Sequence, residues 1–282
     1  MQVLPQTYNA STYLLGGSRN INVTKLTFSI RSNLTGETFV SRDVPIANLS
    51  TFSWAQFSTQ LENNVTAPNS NNSLFVTFDA AEAAGSTFYF TFNSLFGETF
   101  KNRPNGLRKD LAEAVYGLKP KFLRFPGGNN IEGQSYATRW IWNETIGPLI
   151  HRKPRPGDWG YWNTNGFGFH EFLEWCEDME MEKVMAIYAG YSLDGLSVPE
   201  DEMGPVLQAA LDQIEYVVGG TNTTWGAQRA ANGHPEPFQL DYIELGNEDW
   251  FSPSYPYRFP ILFNGIKKKL SLIHISEPTR PY

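Results

Sequence analysis

The chain has 282 residues, long enough for two domains of ordinary size. Aromatic residues make up 15% of it, with eight Trp and thirteen Tyr, while Asp, Glu, Lys and Arg together supply 18%. A formal charge of −7 argues against a nucleic-acid binder, which needs basic patches, and many ring faces with few charges suit stacking on sugar rings.

At the N-terminus, Met1-Gln-Val-Leu-Pro-Gln-Thr-Tyr8 has neither a positive n-region nor an apolar core, so no signal peptide is present. No apolar run is long enough to span a membrane. The glycosylation acceptor pattern nevertheless begins at Asn9, Asn22, Asn33, Asn48, Asn64, Asn71, Asn143 and Asn222. That pattern predicts an extracellular full-length protein, while the absence of a signal peptide implies either that the true start lies upstream or that the protein is cytoplasmic. Residues 1–95 read as an all-β sandwich, carbohydrate-binding-like or a packing spacer. Ile21–Ile30, Ser73–Phe78 and Ser86–Phe92 are its strands, divided by polar turns at 31–36 and 67–72.

Over residues 96–269 helix and strand alternate. Pro104–Tyr116 is predicted as a helix, with Leu107, Leu111 and Val115 on one face and Gly117 as its stop. The strand Lys121–Phe125 follows, closed by Pro126 and two glycines. A helix over 168–181 leads into the strand Val184–Tyr188, and its lone Cys176 falls on the apolar side. A third helix over 206–218 precedes a long loop through Gly219-Gly220 and the strand Tyr242–Leu245. Crossovers of this length require a parallel sheet covered by helices. The α/β class follows, and a barrel is favoured over a Rossmann sheet because no G-x-G-x-x-G follows any strand.

Polar residues collect just past each strand, where barrel active sites form: Arg124 with Asn129, Tyr191 with Asp194, Asn247 with Glu248. Glu248 is the acid/base candidate. Such a group gains from a pKa raised by apolar surroundings or a nearby like charge. Glu244 lies too early on the strand for that role, and Asp249 points differently. Arg124 either serves the site or pairs with a core carboxylate. The stretch Gly157-Asp-Trp-Gly-Tyr-Trp-Asn-Thr-Asn165 offers Trp159 and Trp162 as ring faces and Asn165 as an amide for sugar hydroxyls, unless the Trp side chains cap the barrel edge. The four His residues show no zinc spacing, and neither a nucleophile elbow nor a phosphate loop is present. No cofactor and no metal are expected.

Thr99-Phe-Lys-Asn-Arg-Pro-Asn-Gly-Leu-Arg-Lys-Asp110, Phe122-Leu-Arg-Phe-Pro-Gly-Gly-Asn-Asn130, Trp142-Asn-Glu-Thr-Ile-Gly-Pro148, Trp175-Cys-Glu177, Asn232-Gly-His-Pro-Glu-Pro237 and Ile243-Glu-Leu-Gly-Asn-Glu248 occur in that order. Together they resemble the fungal α-L-arabinofuranosidases of glycoside hydrolase family 51, over about residues 20–268. The resemblance implies a retaining hydrolase that releases terminal non-reducing α-L-arabinofuranosyl groups from arabinoxylan, arabinan or related plant polysaccharides. It implies that Glu248 is the general acid/base and that Asn247 binds the sugar 2-hydroxyl. Arg124 and Asn129 would shape the glycone pocket and orient carboxylates.

The implied fold is a (β/α)8 barrel with a β-sandwich inserted before its second strand, of which this chain carries barrel strands two to four. The implied glutamate nucleophile, on a later strand, has no counterpart here, so the chain by itself is expected to be inactive. Alternatives are a non-catalytic carbohydrate-binding module and a related barrel glycosidase of different sugar specificity. Residues 270–282 contain Leu270-Ser-Leu-Ile-His-Ile-Ser-Glu-Pro-Thr-Arg280, which resembles a translated sequencing adapter. This tail is expected to be foreign, which removes His274 and Glu277 from the site candidates.

Overall fold

A computed structural model describes residues 1–17, 22–47 and 49–271. The chain divides into two compact units, Met1–Ala114 and Val115–Tyr282.

The first unit holds two three-stranded antiparallel sheets. One has the order β4 (Ala55–Asn63), β1 (Gln6–Gly16), β6 (Phe88–Phe96); the other has β3 (Thr38–Pro45), β2 (Lys25–Ser32), β5 (Asn72–Thr77). On β1 the buried side chains Tyr8, Ala10, Thr12 and Leu14 alternate with residues on the outer face, the period of a half-buried strand. Leu26, Phe28 and Ile30 of β2 and Leu61 of β4 complete a core of fully buried side chains. Each such burial is worth about 1.5–3 kcal/mol, which is what holds the two sheets together. Between β5 and β6, Asp79 caps the single turn α1 (Ala80–Ala83) by accepting from Ala81 N–H at 2.7 Å.

Strands β1, β3 and β4 were not among the expected ones. Helix α2 (Lys109–Gly117) starts five residues later than predicted. Asn105 has φ of +53°, outside the helical region, and Phe100 N–H bonds Leu107 C=O, so residues 100–107 form a closed loop instead. Leu111 is exposed, and the buried position of α2 is Ala112.

The second unit is built on a parallel sheet of β7 (Phe122–Phe125), β10 (Glu182–Ile187) and β11 (Tyr242–Leu245), in the order β11-β10-β7. After β7 come the single turn α3 (Asn129–Glu132) and a two-residue hairpin of β8 (Arg155–Pro156) and β9 (Trp162–Asn163). Helix α4 (Phe169–Asp178) then precedes β10. Helices α5 (Met203–Val218) and α6 (Thr224–Ala231) precede β11, and α7 (Tyr255–Ser271) follows it. The segment expected as one long loop therefore contains a helix, α6, whose start is capped by Thr223 accepting from Gly226 N–H. The last helix begins at Tyr255, and Leu270 and Ser271 continue it; the rest of the expected foreign tail lies outside the described residues.

Register decides which side chains face the helices. Phe125 pairs with Met185 and packs on Phe169 and Phe172 of α4, with ring centroids at 6.0 and 5.4 Å. Arg124 pairs with Val184, and Glu244 with Ala186, so both stand on the opposite face. Cys176 of α4 is fully buried, as its apolar helix face predicts. Among the described residues no helix is long and apolar enough to cross a membrane.

Candidate active site

The C-terminal ends of β7 and β11 converge on one hydrogen-bonded cluster. Arg124 Nε donates to Glu244 Oε2 at 2.5 Å, and Arg124 Nη2 donates to Glu244 Oε1, a two-pronged match of guanidinium to carboxylate across the middle strand. The same Nη2 donates to Asn247 Oδ1 at 2.9 Å. Asn247 Nδ2 in turn donates to Asn129 Oδ1 and to Glu132 Oε2, each at 3.2 Å. One amide thus joins β11 to α3. The Glu244 carboxylate holds the Arg124 guanidinium above its ordinary value, against the effect of burial.

Asn247 can sit there because of the turn before it. Gly246 has φ of +77°, and a Cβ at that position would collide with the Asp249 carboxylate and with Ala189 Cβ. Asp249 is itself anchored. Its Oδ2 accepts from Arg258 Nη1 at 2.9 Å, and the fully buried Arg258 also donates to Ala189 C=O and Ser254 Oγ. Burial pushes the Asp249 carboxyl up, and Arg258 opposes that. The turn leaves Glu248 exposed, in a left-handed conformation with φ of +48°. Of the two surroundings weighed from the sequence, apolar residues or a nearby like charge, the groups whose charges reach Glu248 are the carboxylate of Glu132 and the cation Arg124.

Glu132 was not singled out from the sequence. Its side chain is 3% exposed, and burial raises its carboxyl to about 7; the Asn247 N–H opposes the rise, while Asp249, Glu248 and Asp158 add to it. The available signal was the one-turn segment Asn129-Asn-Ile-Glu132 framed by Gly128 and Gly133, which turns a polar residue inward beside the buried Ile131.

Four predicted site residues, Arg124, Asn129, Asn247 and Glu248, therefore gather at one place. Trp162 on β9 and Trp159 and Asn165 on the loops beside it are placed elsewhere: no hydrogen bond or ring contact among the described residues links them to that cluster. Trp159 and Trp162 are exposed. Trp162 and Asn165 line a cleft of about 310 Å³ with Asn130, Arg155, Asn163 and Phe167. Asn165 Nδ2 is engaged with Lys153 C=O at 2.6 Å. Among the described residues no group of three or more His, Cys, Asp or Glu side chains is placed to hold a metal ion.

A family model described as the α-L-arabinofuranosidase 1 domain matches residues 114–279. The chain belongs to the α-L-arabinofuranosidase family. Its curated relatives include α-L-arabinofuranosidase A of Aspergillus niger, 45% identical over 206 residues, which are 71% of this chain and 33% of that protein. The corresponding protein of Aspergillus kawachii is 44% identical with the same coverage. An arabinose-bound α-L-arabinofuranosidase of glycoside hydrolase family 51 superposes with a TM-score of 0.89 and 44% identity, covering 96% of this chain and 43% of that one. The chain spans about a third of the length of the curated relatives it matches. With family 51 established, the three parallel strands and their helices are a part of a (β/α)8 barrel, preceded by an all-β sandwich.

Proposed function

We propose that the full-length protein containing this chain hydrolyses terminal non-reducing α-L-arabinofuranosidic bonds of plant polysaccharides such as arabinoxylan or arabinan, with retention of configuration. The observation that carries the reading is the cluster of Arg124, Glu244, Asn129 and Asn247, which fixes an amide beside the exposed carboxylate of Glu248 at the strand ends.

In that reaction Glu248 protonates the glycosidic oxygen as the leaving group departs. A second carboxylate, about 5–5.5 Å away, attacks the anomeric carbon and forms a glycosyl-enzyme ester. Glu248 then takes a proton from the water that hydrolyses the ester. Asn247 and Asn129 hold sugar hydroxyls, and Arg124 keeps Asn247 and Glu244 in place.

The other carboxylates around Glu248 are committed: Glu244 to Arg124, Asp249 to Arg258, Glu132 to Asn247. None is free to be the nucleophile, so the 282-residue chain alone is expected to show no turnover. The rings of Trp159 and Trp162 and the amide of Asn165 support a role for the neighbouring cleft in holding the rest of the polysaccharide. Exposed acceptor asparagines such as Asn64, Asn143 and Asn222 support an extracellular, glycosylated protein.

The test is chemical rescue of Glu248→Ala in the full-length protein, with an aryl arabinofuranoside as substrate. Azide should restore turnover and give an arabinofuranosyl azide of the substrate's own anomeric configuration. No arabinose released by the wild type, or an azide product of inverted configuration, would refute the assignment.

A further inference from the structure

The side-chain amide of Asn247 has four hydrogen-bonding positions, two lone pairs on Oδ1 and two N–H groups on Nδ2. A guanidinium only donates, so the atom facing Arg124 at 2.9 Å is the carbonyl oxygen. Both N–H groups then point the other way, to Asn129 and Glu132 at 3.2 Å. Three positions are taken, and the fourth is a lone pair on Oδ1.

Of the two acceptors, only Glu132 gives the arrangement a direction. Asn129 is an amide and would serve equally well turned over, whereas an ionised carboxylate accepts and never donates. Glu132 is also held firmly. Gly133 closes α3 at φ of +68°, and a Cβ there would meet Arg139 N at 2.5 Å and the Thr138 backbone at 2.6 Å. The Glu132 carbonyl oxygen accepts from Ser192 Oγ at 3.0 Å, a contact made entirely inside the unit.

We propose that Glu132 is a positioning residue of this site: by taking one N–H of Asn247 it acts with Arg124 to keep the amide oxygen turned to Arg124 and the sugar, so that Asn247 meets a substrate hydroxyl as an acceptor only. The proposal rests on the arabinofuranosidase reading for the identity of the ligand, and on the geometry alone for the link between Glu132 and Asn247. Protonation weakens that link, because a neutral carboxyl is a poorer acceptor and gains a donor of its own. The charged and titratable groups that face Glu132 are Asp249 and Glu248 beyond β11, Asp158 on the β8–β9 loop and Arg124 on β7.

The side-chain amide protons of Asn247 report this directly in the 282-residue chain, assigned by their loss in Asn247→Asp. Their NMR shifts should titrate in the wild type with a midpoint near 7, the value to which burial brings Glu132, and should lose that titration in Glu132→Gln. Shifts that stay flat in the wild type, or titrate unchanged in Glu132→Gln, overturn the proposal. In the full-length protein, Glu132→Gln lets the partner side chain donate as well as accept. It should lower kcat/KM for an aryl arabinofuranoside about tenfold while leaving the fold intact. An unchanged kcat/KM also overturns the proposal. If the wild type releases no arabinose, the functional reading fails, and the NMR titration still decides the role of Glu132.

Discussion

Arg124 on β7 and Glu244 on β11, 120 positions apart in sequence, clasp each other over the intervening strand β10. They meet because parallel register sets both on the face turned away from α4. The Nη2 that donates to Glu244 also donates to Asn247 Oδ1.

Replacing Arg124 by Lys keeps a positive charge and removes the two-pronged geometry. Folding stability should change by less than about 1 kcal/mol, since both side chains are partly solvated. In the full-length protein kcat/KM should fall about ten- to hundredfold, the value of one lost charge-assisted hydrogen bond. Urea melts and steady-state kinetics on the same variant separate the two effects.

Glu132 makes the unit less stable as pH rises. Its folded carboxyl is raised to about 7 against an ordinary 4.5, so between those values the folded state binds more protons than the unfolded one. Unfolding free energy therefore falls as pH climbs through that window, by up to about 3 kcal/mol. The Glu132→Gln variant should lack this slope. Denaturant titrations at pH 4.5, 6 and 7.5 measure it.

The pair Asp249–Arg258 is almost wholly excluded from solvent, and Asp249 Oδ1 and Arg258 Nη2 have no partner among the described residues. Arg258→Met strands a buried carboxylate and should destabilise by about 3–5 kcal/mol. Adding Asp249→Leu should restore part of that loss. A double-mutant cycle by thermal melting gives the coupling, and a cycle without coupling would show that the pair is not the anchor of the Glu248 turn.

Gly246→Ala combines a left-handed backbone with a collision against the Asp249 carboxylate. It should cost at least about 1–3 kcal/mol, more than an ordinary loop substitution. Calorimetry of the variant checks the figure.

Cys176 is fully buried on α4, and burial pushes its thiol up to about 12. It should resist a disulfide reagent in the folded chain and react at once in urea. The reaction rate against denaturant then follows the opening of the second unit.

Much of the second unit was legible in the sequence, because its punctuation is strong. Pro126-Gly-Gly128 marks the end of β7, and an apolar run followed by Gly246 marks the end of β11. Helix positions depended on weaker signals. α6 was overlooked because Gly219-Gly220 looks like the start of a loop, although the next hydroxyl, Thr223, is a helix cap. In the sandwich, β1 and β4 are rich in Ser, Thr, Gln and Asn, so their alternation is hidden until the buried partners Leu14 and Leu61 are seen to face one core. Glu132 was missed for another reason. The glycine-framed turn Asn129–Glu132 hints that it faces inward, but its hydrogen-bond partner Asn247 lies 115 residues away, which no local pattern reveals.

The 120-residue span between Arg124 and Glu244 also has a meaning in time. At roughly 5–20 residues per second, a ribosome delivers the carboxylate some 6 to 24 s after the guanidinium. Until then Arg124 lacks the two-pronged carboxylate of Glu244, and Asn247 does not yet exist. The site is therefore assembled late, when β11 docks on β10. Any condition that slows that docking leaves the rest of the unit formed around an Arg124 still waiting for its partner.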